Sequence, residues 1–317
     1  MVSCMKEFKL QATILFLAYN QQDFVVQAAQ SCLDQQGGPF EIIFSDDCST
    51  DATFTLLKTV IGQYKGPHQV VLRQNLSNLG IADQYNTLIK LAKCELLITA
   101  AGDDLSYPNR AQTLCDTWRA SDSKLDLIAS YAQSITYDGL KTEKIIKIDQ
   151  LSKWKSAADW CAKRPYVVGA THAFTKRIWI KFGDIASDIP YEDQIITLRA
   201  MCLGGGVTVQ VSLLSYRSGG MSSKIEATNT NQRLLAIQNR YSRQYAVFSQ
   251  VRKDLVKAGH TSLWKGKVAK YWTRAQVALQ LIELKNRQRF PVFVQILGIA
   301  QQCGPLWTVR QIFYTWK

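Results

Sequence analysis

From residue 12 to residue 130 the chain alternates short apolar runs with longer stretches whose apolar residues return every three or four positions. Ala12–Leu17 (ATILFL), Glu41–Ser45 (EIIFS), Gln69–Arg73, Glu95–Ala101 (ELLITAA) and Leu125–Ser130 read as strands. Residues 24–35, a segment opening at Thr50-Asp51, Ile81–Lys93 and Pro108–Ala120 read as helices, with breakers such as Gly37-Gly38-Pro39 and Gly66-Pro67 between them. Strands separated by single helices imply right-handed crossovers and a parallel sheet covered on both faces. Such a sheet binds ligands beyond the carboxyl ends of its strands, so polar clusters placed just after strands are the candidates for chemistry.

Later segments follow a different rhythm. Residues 133–165 are polar and lysine-rich and read as an insertion; Tyr191–Leu203 reads as a helix and Val207–Val211 as a strand. From about residue 228 the pattern is all-helical, through Leu234, Ile237, Tyr241, Tyr245, Phe248, Val251 and Leu255, then Val268, Tyr271, Ala275, Leu279 and Ile282. The fold class expected is α/β, a mostly parallel sheet flanked by helices and followed by a helical basic region, with domains at 1–225 and 226–317.

Charge divides the chain at the same place. The net charge is +13, yet residues 240–317 hold 14 Lys+Arg against only Asp254 and Glu283. A nearly neutral body therefore carries a basic tail. A hydrophobic fraction of 47% among 317 residues excludes a disordered chain. The eight cysteines lie at least 16 positions apart and there are three histidines, so no CxxC or His-rich zinc site is expected and reduced thiols are. No apolar stretch reaches the roughly 18 residues a membrane span needs, and MVSCMKEFKL lacks a signal-peptide core, so a cytoplasmic location is expected.

Three acidic clusters punctuate the body. Asp46-Asp47-Cys48-Ser49-Thr50-Asp51 follows the second strand; its polar groups suit a base or ribose, and Asp51 also suits capping the next helix. Gly102-Asp103-Asp104 follows ELLITAA. Adjacent carboxylates repel, and either a solvated turn or a hard cation such as Mg²⁺ or Mn²⁺ relieves them. Tyr191-Glu192-Asp193-Gln194 opens a helix after Pro190, where acids are favoured by the helix dipole but where a general base is also well placed.

Taken in order, ATILFLAYN, SDDCSTD, Asn78-Leu79-Gly80, AAGDD with Pro108 and Arg110 after it, and the later ED pair resemble family 2 glycosyltransferases with the GT-A fold, of the bacterial surface-polysaccharide type. The resemblance covers about residues 10–225 and is most specific over 10–120. It implies that Tyr19 and Asp47 hold the nucleotide base with Asp46 beside them, that Asp103 lies near the ribose, and that Asp104 is the metal-contacting acid of a DxD-type signature. Asp193 matches the base that deprotonates the acceptor hydroxyl. Tyr216-Arg217 followed by Gly219 and Ser222 resembles the family's YR segment near the diphosphate, without its frequent histidine. The implied reaction is an inverting transfer from a nucleotide sugar, with a UDP-sugar favoured, to a glycan or lipid-linked acceptor, assisted by Mn²⁺ or Mg²⁺. His172 reads as a hydrogen-bonded residue near the core or as part of an acceptor pocket, and Asn20 as shaping its loop.

The tail interleaves basic residues with Trp264, Tyr271, Trp272, Trp307, Tyr314 and Trp316, and contains the apolar run FPVFVQILGIA over 290–300. That combination suits an anionic membrane surface at the inner face of the cell membrane. A helical appendage or a contact in a homo-oligomer fits the same residues. No helix-turn-helix, RNP or zinc pattern accompanies the charge, so nucleic acid is not expected as a partner.

Overall fold

A computed structural model describes residues 9–218, 230–287, 291 and 293–316. The elements in order are β1 (Thr13–Ala18), α1 (Val25–Leu33), β2 (Glu41–Asp46), α2 (Thr53–Gln63), β3 (Gln69–Gln74), α3 (Gly80–Leu91), β4 (Leu96–Ala101), β5 (Leu105–Ser106), α4 (Arg110–Ala120), β6 (Leu127–Ile135), β7 (Lys141–Ile146), α5 (Ala157–Ala162), β8 (His172–Thr175), α6 (Arg177–Phe182), α7 (Glu192–Met201) and β9 (Gly206–Arg217). Four helices follow: α8 (Thr230–Lys257), α9 (Gly266–Asn286), α10 (Phe293–Cys303) and α11 (Pro305–Trp316).

Two compact units are formed. One comprises residues 1–160, 164–187 and 192–223; the other comprises 161–163, 188–191 and 224–317. In the first, the sheet runs β3-β2-β1-β4-β8-β6-β9-β5, with β7 beside β6. The half from β3 to β4 is wholly parallel, as the alternation of strand and helix dictates. Strands β1 and β2 are buried along their entire length, which explains why they read as unbroken apolar runs rather than alternating ones. Phe16 and Phe44 meet across them with ring centroids 4.8 Å apart. Each such side chain contributes about 1.5–3 kcal/mol by leaving water.

The other half is mixed. The fifth strand expected from the sequence, β6, does not lie beside β4: the four-residue β8 intervenes, antiparallel to both, and β6 pairs in parallel with β9. Strand β9 also runs past Val211 to Arg217, where it pairs with Ile135 at the end of β6. The polar stretch at 133–165 contains the edge strand β7, whose residues are mostly exposed.

The second unit is helical. Tyr241, Ala275 and Ala278 are buried together, with Ile237, Tyr245, Leu279 and Trp307 packed on them. Tyr245 stacks on Trp272, and Phe248 on Tyr271. Several of the tail's aromatic residues are thus engaged within the unit. Of the apolar run at 290–300, Phe290 and Val292 lie outside the described residues, Pro291 is buried, and α10 takes up the chain from Phe293. No helix among the described residues is long and apolar enough to cross a membrane.

Candidate active site

Parallel register brings the carboxyl ends of β2, β1 and β4 side by side: Ala18 pairs with Asp46, and Leu17 with Ala101. The three loops that leave these ends carry Tyr19, Asp47 and Asp103, so the sheet itself assembles residues distant in sequence. Tyr19 is half-buried beside this edge. Asn20, with φ of 49°, ties the first loop to the second: its Oδ1 accepts from Thr50 N at 2.9 Å, and its own N–H reaches Ser49 Oγ.

Asp46 and Asp47 are both buried and both bonded to the protein. Asp46 accepts from Ser49 N and Gln74 Nε2, each at 2.9 Å, and from the Ser49 hydroxyl. Asp47 accepts from Asn75 Nδ2 at 2.6 Å and from the backbone N–H groups of Leu79 and Gly80 at 2.9 Å. Its carboxylate therefore satisfies the orphan donors that open α3. Asp51 accepts from Thr53 N, the first residue of α2, and from Gln22 N.

Gly102, at the end of β4, leaves room for its neighbours: a Cβ there would crowd the end of the Gln21 side chain and lie 3.1 Å from the Ala18 Cβ. This close approach lets the Gln21 side chain bond Asp103. Burial raises the Asp103 pKa against that bond and the charge of Arg217. Asp104 is pushed up to about 8, first by burial and then by the charge of Asp103. The pair is thus short of positive charge, and its donors are hard carboxylate oxygens, which fits a divalent cation. No group of three or more His, Cys, Asp or Glu poised for a metal occurs among the described residues, so an ion here would take its remaining ligands from elsewhere.

Arg217, at the end of β9, closes over this pair. Its N–H donates to Asp104 Oδ1 and its Nε to the Asp103 carbonyl, both at 2.9 Å. Nη1 bonds the carbonyls of Thr136 and Tyr137, and the guanidinium lies 4.5 Å from the Phe24 ring centroid. Phe24 packs edge-on against Tyr137, whose hydroxyl donates to Asp23 at 2.9 Å. Nη2 of Arg217 is buried with no hydrogen-bond partner. Gly219 and Ser222, expected to continue this segment, lie outside the described residues.

The second carboxylate pair opens α7. Glu192 is 8% exposed, and burial together with the charge of Asp193 drives its pKa up to about 8. Asp193 is raised to about 6 by burial, held back by the Gln194 N–H on its Oδ1 and by the charge of Arg164. Gly169 makes room for them: a Cβ there would be 3.0 Å from Glu192 Oε1 and 3.4 Å from the Asp193 Cβ. Burial thus raises both neighbouring acids, Glu192 further because the charge of Asp193 adds to it.

Arg110 belongs to the same site, a residue to which the motif alone assigns no role. It is 2% exposed, bonds the carbonyls of Thr99 and Ala170 and the Ser106 hydroxyl, and its charge acts on Asp104, Tyr85 and His172. Tyr85, buried in α3, feels Glu192 and Asp193 in turn. A basic residue at the first position of α4 opposes the helix dipole, which was the available signal. His172 is fully buried on β8, but neither ring nitrogen has a hydrogen-bond partner, contrary to expectation. Thr99 Oγ1 takes the His172 carbonyl instead, and burial with the Arg110 charge holds the ring neutral, its pKa near 3.

Residues 13–158 match the family model described as Glycosyl transferase family 2. A 102-residue stretch, 32% of this chain, is 28% identical to the putative glycosyltransferase EpsE of Bacillus subtilis and spans 36% of that protein, about a third of its length. The succinoglycan biosynthesis protein ExoO of Rhizobium meliloti is 23% identical over 258 residues, 76% of this chain and 70% of ExoO. The crystal structure of S. aureus TarS 1–349 in complex with UDP superposes with a TM-score of 0.56 at 13% identity, covering 96% of this chain and 88% of that one. The fold is thus the GT-A type.

Proposed function

Starting from a chain whose residues 13–158 form a family 2 glycosyl transferase domain, we propose that it moves a sugar from a nucleotide-sugar donor to a glycan or lipid-linked acceptor with inversion at the anomeric carbon. The catalytic body is residues 1–225. The observation that carries this reading is the occurrence of two acidic sites in one unit, Asp103-Asp104 after β4 and Glu192-Asp193 at the start of α7, with the charge of Arg110 acting on Asp104 and, like that of Glu192 and Asp193, on Tyr85.

Tyr19, Asp46 and Asp47 line the side of the base, with Asp103 toward the ribose. Asp46 and Asp47 do this by shaping the pocket wall, since their oxygens hold Ser49, Gln74, Asn75 and the opening of α3. Asp104 would hold Mn²⁺ or Mg²⁺, which supplies positive charge to the departing diphosphate. Arg217 adds a donor through its unpaired Nη2. On the acceptor side, Asp193 takes the hydroxyl proton. Its Oδ1 is held by Gln194 N, so Oδ2 is the receiving atom. Protonated Glu192 keeps a second negative charge out of the pocket while that transfer occurs. Attack from the face opposite the diphosphate needs no enzyme nucleophile, and inversion follows.

A UDP-sugar is the favoured donor, and surface polysaccharide the favoured product class. Residues 226–317 would hold the chain at an anionic membrane on its cytoplasmic face. The test is release of nucleoside diphosphate from a panel of nucleotide sugars, with and without EDTA, for the native chain and Asp104→Asn. Turnover of one donor, lost in EDTA and in a folded Asp104→Asn variant, is expected. Turnover unchanged by both would remove the metal role, and no turnover of any donor would remove the reaction.

A further inference from the structure

Arg217 carries more supports than a charge near a diphosphate requires. It is 4% exposed, and the loop that leaves β1 and the turn that joins β6 to β7 both reach it. Nε donates to the Asp103 carbonyl at 2.9 Å, and Nη1 donates to the carbonyls of Thr136 and Tyr137. The Phe24 ring takes the remaining support, with its centroid 4.5 Å from the guanidinium carbon. A guanidinium held at Nε, at Nη1 and by a ring does not turn without giving up those contacts.

The supports are themselves tied together. Phe24 meets the Tyr137 ring edge-on at 4.8 Å, and the Tyr137 hydroxyl donates at 2.9 Å to Asp23, the residue before Phe24. The turn whose carbonyls take Nη1 therefore also holds Phe24. That turn is closed by its own bonds, from Gly139 N to the Thr136 carbonyl at 3.0 Å and from Leu140 N to the Thr136 hydroxyl at 3.1 Å. Gly139 supplies the φ of 86° that the closure needs. The loop after β1 reaches the neighbouring acid as well, since the Gln21 side chain bonds Asp103.

A guanidinium presents its donors in one plane, so its orientation decides which oxygens it meets, unlike the freely turning ammonium of lysine. An aromatic ring attracts that cation most strongly where water is excluded, as it is at this buried position. Phe24 carries no charge and belongs to neither acidic pair. We infer that Phe24, braced by Tyr137, is the positioning residue that fixes the Arg217 guanidinium for the departing diphosphate. This rests on the diphosphate role proposed for Arg217.

Two measurements on the full chain test it. In ¹⁵N-arginine-labelled protein the Arg217 Nε–H signal, identified by its loss in Arg217→Gln, should be shifted by the ring. Phe24→Leu should abolish that shift and Phe24→Tyr should keep it. Phe24 is half-buried and Tyr137 exposed, so the fold should persist in each variant. Binding of UDP and of uridine in Mg²⁺ is then titrated. Phe24→Leu should weaken UDP about tenfold and uridine less than about twofold, the margin of a buried cation–π contact. Tyr137→Phe, which loses the bond to Asp23, should weaken UDP about threefold. In an Arg217→Gln background Phe24→Leu should cost nothing further, because it acts through the arginine. Equal losses of UDP and uridine, additive losses in the double variant, or an Arg217 signal unmoved by Phe24→Leu would each overturn the inference. UDP binding weakened by Arg217→Gln but not by Phe24→Leu would overturn the inference alone. UDP binding untouched by Arg217→Gln would overturn the diphosphate role and the inference with it.

Discussion

Glu192→Gln should stabilise the catalytic unit, and increasingly so as pH rises. The folded chain keeps a proton on Glu192 up to about pH 8, whereas an unfolded glutamic acid releases it near its ordinary value of 4.5. Between those limits the folded state binds more protons than the unfolded one, so stability falls with rising pH by up to about 1.36 kcal/mol per unit. From pH 5 to pH 8 the loss is on the order of 3 kcal/mol. Glutamine is uncharged in both states and removes that slope. The two proteins should therefore unfold alike near pH 5 and diverge by pH 8, with the variant melting roughly 5–10 °C higher. Thermal unfolding at pH 5, 6, 7 and 8 in EDTA measures this directly. Asp193→Asn supplies an independent check, because deleting the neighbouring charge should flatten part of the native slope. Native and Glu192→Gln curves that run parallel across the range would refute a protonated, buried Glu192.

Asp193→Asn should lower kcat by about 10²–10⁴ while calorimetry finds donor affinity unchanged, since the base acts on the acceptor. In the native protein transfer should rise with pH through about 6 as Asp193 ionises, and a pH–rate profile with no acid limb there would exclude it as the base. Asp47→Ala leaves the α3 amides of Leu79 and Gly80 and the Asn75 amide without their acceptor, and should cost about 2–4 kcal/mol in urea unfolding. A cost under about 0.5 kcal/mol would mean that those donors find water at no penalty.

Much of this was readable in advance because burial on both faces leaves a simple trace. ATILFL, EIIFS and ELLITAA are continuous apolar runs, and the acids that follow them fall at the carboxyl ends where a parallel sheet gathers its ligands. The mixed half left less. Strand β8 is four residues long, too short for a period to register, and β7 is an edge strand whose exposed residues look like any polar loop. The partners of Asp46 and Asp47 lie up to 33 residues away, so nothing local disclosed that these carboxylates support the second loop and the opening of α3. In the tail, the three-and-four spacing of aromatic residues identifies a buried face. It does not say whether lipid or the unit's own helices bury it, and Tyr245, Trp272, Phe248 and Tyr271 pair among themselves.

The bond from Arg217 to Asp104 joins residues 113 positions apart, and that distance has a consequence for synthesis. The β3-β2-β1-β4 half is complete once residue 101 has emerged, and it can form while the ribosome is still translating the rest. At about 5–20 residues per second, a further 6–23 seconds pass before Arg217 appears. Until residues 172–175 emerge β4 is an open edge awaiting β8, and for the whole interval the two acids at its end lack the arginine that will cover them. The nascent chain is thus most exposed to wrong strand pairing at the very place where its chemistry will later be built.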